Sequence, residues 1–122
     1  MSRPFLTTLV HQVVVDTLAL VSNLDRGEIV NDFACDRFRS PGYGDAKDQL
    51  RRSSMSVALN VSEAAGRQGK DLRRFREIAL GSARETRAGL AVLSDLGLLD
   101  AAVVNSLDRH WDRVCVILYR LT

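Results

Sequence analysis

The sequence predicts an all-α protein, an antiparallel up-and-down four-helix bundle that forms a single domain over residues 1–122. Apolar residues recur with helical spacing along four long segments. Proline occurs only at positions 4 and 41, so the chain beyond residue 41 lacks this helix breaker. Glycine and aspartate separate the last three segments by short connections, and short connections favour antiparallel neighbours.

The first predicted helix runs from about Phe5 to Leu24, with Pro4 suited to the first helical position. The run Val13-Val14-Val15 is also compatible with a strand, but the apolar pattern extends over some 20 residues, and this length favours a helix. The predicted apolar face contains Leu6, Leu9, Val10, Val13, Thr17, Leu20, Val21 and Leu24.

Residues 25–45 carry the weakest signals in the chain. Asp25-Arg26-Gly27 is expected to end the first helix, and Ser40–Gly44 is predicted to be a loop. Between them, Glu28–Phe38 contains apolar residues compatible with a short helix or with an extension of the first helix.

The second helix is predicted to begin at Asp45 as the N-cap, with Asp48 in a capping-box position, and to end at Gly66. Its inward residues are predicted to be Leu50, Ser54, Val57, Val61 and Ala64 or Ala65. A short turn then spans Gly66–Gly69.

The third helix is predicted from about Lys70 to Leu96, with Gly97 as its stop. The fourth follows an N-cap at Asp100 and ends near Leu121. The third helix's inward residues are predicted to be Leu72, Phe75, Ile78, Ala79, Ser82, Thr86, Gly89, Leu93 and Leu96. Those of the fourth are predicted to be Val104, Leu107, Trp111, Val114, Leu118 and Leu121.

The composition is that of a soluble globular protein, and we expect a cytoplasmic location. Cys35 and Cys115 lack the Cys-x-x-Cys spacing of metal or redox motifs and are expected to be reduced thiols. The N-terminal apolar run contains polar residues and no processing site, so we expect no signal peptide. No uninterrupted apolar stretch reaches about 18 residues, so no membrane partner is expected.

The sequence offers no constellation typical of catalysis. His11 and His110 lie on different predicted helices without metal-ligand spacing, and the carboxylates project mostly away from the core, unlike those of di-iron bundles. Gly66-Arg67-Gln68-Gly69 lacks the Gly-Lys-Ser/Thr tail of a phosphate-binding loop. We therefore expect no catalytic residues, no metal, no cofactor and no enzymatic activity.

Positive charge is concentrated in the middle of the chain. Residues 47–87 contain ten Lys or Arg against five Asp or Glu, whereas both flanking segments are slightly acidic. Such a segment can bind the phosphates of a polyanion, or it can be a solvated helix face paired with Asp71, Glu77 and Glu85. No aromatic residue is interleaved nearby, which argues against a base-stacking platform for single strands. The predicted nucleic-acid-binding residues are Arg51, Arg52, Arg67, Lys70, Arg73 and Arg74.

The outer faces of the second and third helices contain apolar and small residues where a monomeric bundle would normally place charge. Met55 and Leu59 project outward from the second helix. On the third, the outward residues are predicted to be Leu80, Gly81, Ala88, Ala91 and Val92. Small residues allow a second backbone to approach closely, so Met55, Leu59, Gly81 and Ala88 are predicted to form an oligomer interface.

The same segments resemble a known family. Gln49-Leu50-Arg51-Arg52-Ser53-Ser54, Ser56-Val57, Asn60-Val61-Ser62-Glu63-Ala64 and Gly66-Arg67 are similar to the signature of the four-helix-bundle family of 23S rRNA intervening-sequence proteins. Ile78-Ala79-Leu80-Gly81-Ser82-Ala83-Arg84-Glu85 is similar to the family's second signature. The resemblance covers about residues 46–97, and the fourth helix fits in pattern only. Residues 25–44 are longer than the family's usual first connection, and Ala65 departs from its Glu-Gly pairing.

The resemblance implies a four-helix bundle that assembles into a ring-shaped homopentamer. The family is also similar to the accessory proteins of diversity-generating retroelements, whose basic pentamers engage nucleic acid and a reverse transcriptase. The expected partners are therefore other copies of this chain, RNA or DNA, and a protein such as a reverse transcriptase. The alternative function is a protein–protein adaptor that does not bind nucleic acid directly.

Overall fold

Four helices make up most of the chain that the structure describes. The computed structural model describes the backbone of residues 3–25 and 41–122 and the side chains of residues 5–23 and 44–122. Each helix packs against the next, and the first also packs against the last, so that the four close into an antiparallel bundle as predicted. The helices are α1 (Arg3–Asp25), α2 (Pro41–Ala65), α3 (Gly69–Asp95) and α4 (Ala101–Leu121).

The start of α2 differs from the prediction. The helix begins at Pro41, four residues before the predicted N-cap Asp45, so residues 41–44 are helical rather than loop. Proline is favoured in the first helical turn because its fixed φ suits a helix and its missing N–H is not needed there. The short helix predicted at Glu28–Phe38, together with Cys35, lies outside the described residues.

Two glycines with positive φ mark helix ends. Gly97 has φ +76°, its N–H donates to the Ser94 carbonyl at 2.9 Å, and the Leu98 N–H donates to the Leu93 carbonyl at 3.0 Å. This Schellman arrangement ends α3, as the sequence predicted. At the α2–α3 turn the positive φ of +58° belongs to Gly69, not to the predicted cap Gly66.

The N-cap predicted for α4 is confirmed. The Asp100 carboxylate accepts hydrogen bonds from the N–H groups of Ala102 at 2.7 Å and Val103 at 3.4 Å. These bonds satisfy two backbone donors that an α-helix leaves without a partner in its first turn.

The core contains one buried polar pair that joins α1 to α4. Trp111 is fully buried, and its Nε1–H donates to Thr17 Oγ1 at 2.9 Å. The Thr17 hydroxyl donates in turn to the Val13 carbonyl at 2.8 Å. Both polar groups of this pair are therefore satisfied inside the core.

Hydroxyl groups line the contact between α2 and α3 and fix its register. Thr86 Oγ1 donates to Ser53 Oγ at 2.9 Å, and the hydroxyls of Ser56 and Ser82 are 2.8 Å apart. Residue numbers rise along one helix as they fall along the other, so the two helices run antiparallel. A slip by one turn would break these bonds, and leaving buried hydroxyls unpaired costs free energy.

The inward face of α3 is wider than its predicted stripe. Leu80, predicted to face outward, is only 6% exposed, whereas Ile78 and Leu96, predicted to be in the core, are 40% and 38% exposed. The helix packs against α2 on one flank and α4 on the other, so its buried sector is broad and turned towards α4. The predicted inward residues of α2 from Leu50 to Ala64 are buried.

Candidate nucleic-acid interface

Four of the six predicted nucleic-acid-binding residues lie together at one end of the bundle. Arg67 lies in the turn between α2 and α3, and Lys70, Arg73 and Arg74 lie in the first two turns of α3. All four are exposed. We call these four residues the turn cluster.

Arg67 is the most constrained side chain of the turn cluster. Its Nε and Nη2 donate to Glu63 Oε1 at 3.0 and 2.7 Å, and its Nη1 lies 3.9 Å from Asp71 Oδ2. The hydrogen bonds that Arg67 donates to Glu63 and the charges of Glu63 and Asp71 raise the pKa of Arg67. Arg67 therefore stays charged, with two carboxylates where a phosphate would bind.

Phe75 supports two guanidinium groups of the turn cluster. The guanidinium carbon of Arg67 lies 5.3 Å from the centre of the Phe75 ring, and that of Arg74 lies 5.7 Å from it. Cations attract the face of an aromatic ring at these distances, so the ring holds both arginines near the turn. The sequence assignment of Phe75 to the core missed this contact, although its position beside Arg74 was a signal for it.

The turn cluster is only partly neutralised. Arg73 Nε lies 3.4 Å from Glu77 Oε1, one turn along α3. Within the described residues, neither Lys70 nor Arg74 forms an ion pair. Surface pairs of this kind are weak, so a phosphate can compete for the paired arginines.

Arg51 and Arg52 lie apart from the turn cluster. They precede Arg67 by about 15 residues along α2, which corresponds to roughly 22 Å at the helical rise. Arg51 Nη1 bonds Asp48 Oδ1 at 3.1 Å, and Arg52 Nε donates to the Asp48 carbonyl at 3.4 Å. The six predicted residues therefore form two separate groups.

The residues predicted for an oligomer interface are exposed in the isolated chain. Met55 is 40% exposed and Leu59 62% exposed, and both border a shallow groove between α1 and α2 together with Thr7 and His11. On α3, Gly81 and Ala88 are exposed, and a Cβ atom added at Gly81 would meet nothing within 4 Å.

Sequence analysis missed an ion-pair cluster between α3 and α4. Arg87 Nε and Nη2 donate to the two carboxylate oxygens of Asp108 at 2.8 and 3.0 Å, and its Nη1 donates to Asp112 at 3.1 Å. The hydrogen bond with Arg87 lowers the pKa of Asp108, and the same bond raises that of Arg87. Nearby, burial raises the pKa of the Cys115 thiol, against the opposite effect of Arg87.

The described part of the chain contains no group of three His, Cys, Asp or Glu side chains placed to hold a metal ion. His11 and His110 are both exposed. His110 borders an open cleft between α1 and α4, together with Asp16, Leu20 and Val103.

One helix in the described residues has the length and apolarity of a membrane span. Phe5–Asn23 has a mean hydropathy of 1.5, although polar residues interrupt it. Its buried residues, including Val10, Thr17 and Val21, pack in the bundle core. The core helices of soluble proteins can have the same length and apolarity, so these two properties do not by themselves indicate a membrane span.

These features define a small all-α bundle with a basic turn cluster at one end. Residues 34–120 match a protein family described as "23S rRNA-intervening sequence protein". The chain belongs to this family, as its signatures predicted, and the match extends beyond residues 46–97 to include α4.

A solved structure has the same fold. It is the crystal structure of a protein with unknown function from the S23 ribosomal protein family of Bacteroides thetaiotaomicron VPI-5482. The two chains align with a TM-score of 0.75 over 95% of this chain and 96% of that chain, at 19% sequence identity. At this identity the likeness shows the fold alone. No match to a curated protein was found.

Proposed function

We propose that this protein is a non-enzymatic, homopentameric, cytoplasmic bundle that binds RNA or DNA through the turn cluster. The observation that carries the proposal is the grouping of Arg67, Lys70, Arg73 and Arg74 at one exposed end of the bundle. Arginine and lysine side chains at such a site neutralise phosphates without reading base sequence.

The local charge and the local geometry both support this proposal. Residues 63–77 contain five basic and three acidic side chains, so the segment stays positive after every carboxylate is counted against a cation. Phe75 restrains the guanidinium groups of both Arg67 and Arg74, which lowers the entropy lost when they bind one phosphate backbone. Arg51 and Arg52 would contact the polyanion at a second point, roughly 22 Å away.

Assembly of several copies would strengthen a weak site. Each copy contributes few phosphate contacts, but linked sites on one assembly raise the effective concentration for the next contact. The proposed self-association surface consists of Met55, Leu59, Gly81 and Ala88, which are exposed and uncharged.

The test is the salt dependence of binding to a labelled RNA or DNA of about 20 nucleotides, followed by fluorescence anisotropy. If about four phosphates are neutralised per subunit, the slope of log affinity against log salt should be roughly −3 to −4. Replacement of Lys70, Arg73 and Arg74 by Gln should remove most of this slope. The matched control replaces Asn105, Ser106 and Thr8 by Gln, which leaves the charge unchanged. No binding at micromolar protein and low salt contradicts the proposal.

A protein–protein adaptor is the second candidate function. It is favoured by the carboxylates that already pair with Arg51, Arg67 and Arg73. Glu63 is exposed and pairs within the turn rather than between packed helices, so this pairing is not a buried structural contact. The proposed partner is a polypeptide such as a reverse transcriptase. A partner that is recovered in pull-downs after nuclease treatment would support the adaptor function.

A further inference from the structure

The outer face of α4 carries three arginines, although residues 88–122 as a whole have a slightly negative net charge. Arg109, Arg113 and Arg120 are exposed and follow one another at intervals of four and seven residues. These intervals correspond to one and two helical turns, so the three side chains project from one side of α4, about 6 and about 10 Å apart. We call them the α4 row.

The α4 row is not neutralised by neighbouring carboxylates. No ion pair to any of its three arginines occurs among the described residues. Arg113 instead lies over the ring of Phe5, with 5.9 Å between the guanidinium carbon and the ring centre. Its positive charge is therefore held in place by an uncharged partner.

Arg87 of α3 explains why the row is left without counter-charges. Apart from the N-cap Asp100, the acidic residues of α4 itself are Asp108 and Asp112, and both are bonded to Arg87 at 2.8 to 3.1 Å. Asp112 lies three residues after Arg109, a spacing that otherwise allows a pair along one helix. Arg87 draws both carboxylates to the α3 side and leaves the outer side of α4 positive.

The helix register places one end of the α4 row near the level of the turn cluster along the bundle axis. The bonds from Arg87 to Asp108 and Asp112 set α3 and α4 level at these residues. Arg120 lies about 8 to 12 residues after these two aspartates along α4. Because α3 runs antiparallel to α4, the same number of residues counted back from Arg87 reaches about residues 75–79. Arg120 therefore lies one to two turns from the level of Arg73 and Arg74.

We propose that the α4 row and the turn cluster form one track for a nucleic-acid backbone, which runs from the turn along the outer face of α4. This inference rests on the proposed function and extends its site. The row spans about 16 Å, a length that covers roughly five phosphates of one strand at 3.4 Å per phosphate along the axis. Three of these phosphates would be neutralised by arginine.

The test compares two triple variants in the same salt titration with a labelled DNA duplex of about 20 base pairs. If the α4 row adds three phosphate contacts to the four of the turn cluster, the wild-type slope on the duplex should be about −6. Replacement of Arg109, Arg113 and Arg120 by Gln should reduce its magnitude by about 2 to 3, since each lost phosphate contact removes about 0.9. The charge-retaining control, with Lys at the same three positions, should keep most of the slope. All three positions are exposed, so thermal melting should confirm that the variants fold.

The outcomes separate the track from the proposed function. If the α4 Gln variant keeps the wild-type slope while the turn-cluster Gln variant loses it, the track is wrong and the proposed function stands. If the wild-type protein shows no salt-dependent binding to the duplex or to a labelled RNA or DNA strand of about 20 nucleotides, both are wrong. If it binds a single strand but not the duplex, the track for the duplex is wrong and the proposed function stands. If the Lys control loses as much slope as the Gln variant, the effect is not one of charge, and the track is again wrong.

Discussion

Arg67 is the residue whose environment bears most directly on the proposed function, because its charge is already engaged. The carboxylate of Glu63 binds it through two nitrogens, while Phe75 lies beneath its guanidinium group. A nucleic-acid phosphate must therefore displace Glu63 before Arg67 can contribute to binding.

Glu63→Gln should increase nucleic-acid affinity about two- to five-fold, because removal of a surface ion pair worth up to about 1 kcal/mol releases Arg67 for phosphate. The salt slope should steepen by up to about 0.9. The measurement is fluorescence anisotropy across a salt series. Asp95→Asn changes the net charge equally at the other end of α3 and serves as the control. An equal gain in both variants would mean that net charge, rather than release of Arg67, is responsible.

Thr17 is the second residue with a specific role, as the acceptor for the buried Trp111 side chain. Thr17→Val keeps the shape but leaves the indole N–H without an acceptor, and the expected cost is about 1 to 3 kcal/mol of unfolding free energy. Urea unfolding followed by Trp111 fluorescence measures it. Thr8→Val, at an exposed position on the same helix, should change stability by less than about 0.5 kcal/mol.

Among the elements, α3 has polar side-chain contacts with both of the helices it packs against, α2 on one flank and α4 on the other. The hydroxyl bonds of Ser53 and Ser56 fix its register with α2, and Arg87 fixes its register with α4. These polar bonds choose one alignment among several that apolar contacts alone would allow.

The Arg87–Asp108 pair should make stability depend on pH. The pKa of Asp108 is lowered in the folded state, so its contribution is present above the unfolded pKa of about 4 and is lost as pH falls through the folded pKa. Asp108→Asn should therefore be less stable than wild type at neutral pH, by at most about 1 kcal/mol for this partly exposed pair. Urea midpoints at pH 7 and below pH 4 should show this difference shrinking, and a constant difference would contradict the prediction.

One glycine inside α3 and one just after its end should respond to alanine in opposite directions. Gly81→Ala should raise the stability of the fold by up to about 1 kcal/mol, since glycine weakens a helix interior and an added Cβ meets nothing within 4 Å. Gly97→Ala should lower it by about 1 to 2 kcal/mol because φ is +76°. Thermal melts of both variants beside wild type, at a dilution where the chain is monomeric, test the pair. At concentrations where copies assemble, the gain at Gly81 should disappear, because the proposed interface brings another copy against this position.

For the whole molecule, the exposed apolar residues of α2 predict self-association. Light scattering on a sizing column should give several times the 13.5 kDa chain mass. Leu59→Glu should lower that mass because Leu59 is 62% exposed in the isolated chain and a buried unpaired charge is costly. The control Val103→Glu lies on α4, outside the proposed surface, and should leave the mass unchanged. A monomeric wild-type protein at micromolar concentration would overturn the assembly.

The sequence by itself determined the helices and most of the core. Helical spacing of apolar residues located α1, α3 and α4 to within two residues, and local chemistry placed the N-cap at Asp100 and the stop at Gly97. These features depend on neighbours along the chain, and so the sequence contains them directly. The start of α2 was missed because the local signal of Pro41-Gly42 favoured a loop over a first helical turn.

Only the tertiary structure decided which charges are available for binding. Charge counts along the chain highlighted residues 47–87, but they joined Arg51 and Arg52 to a cluster that lies roughly 22 Å away. They also gave no sign of the α4 row, because four aspartates outnumber its three arginines in the sum over residues 88–122, although two of them, Asp108 and Asp112, bind Arg87. An electrostatic interaction depends on distance in space, and the distance between side chains on different helices is set by how those helices pack.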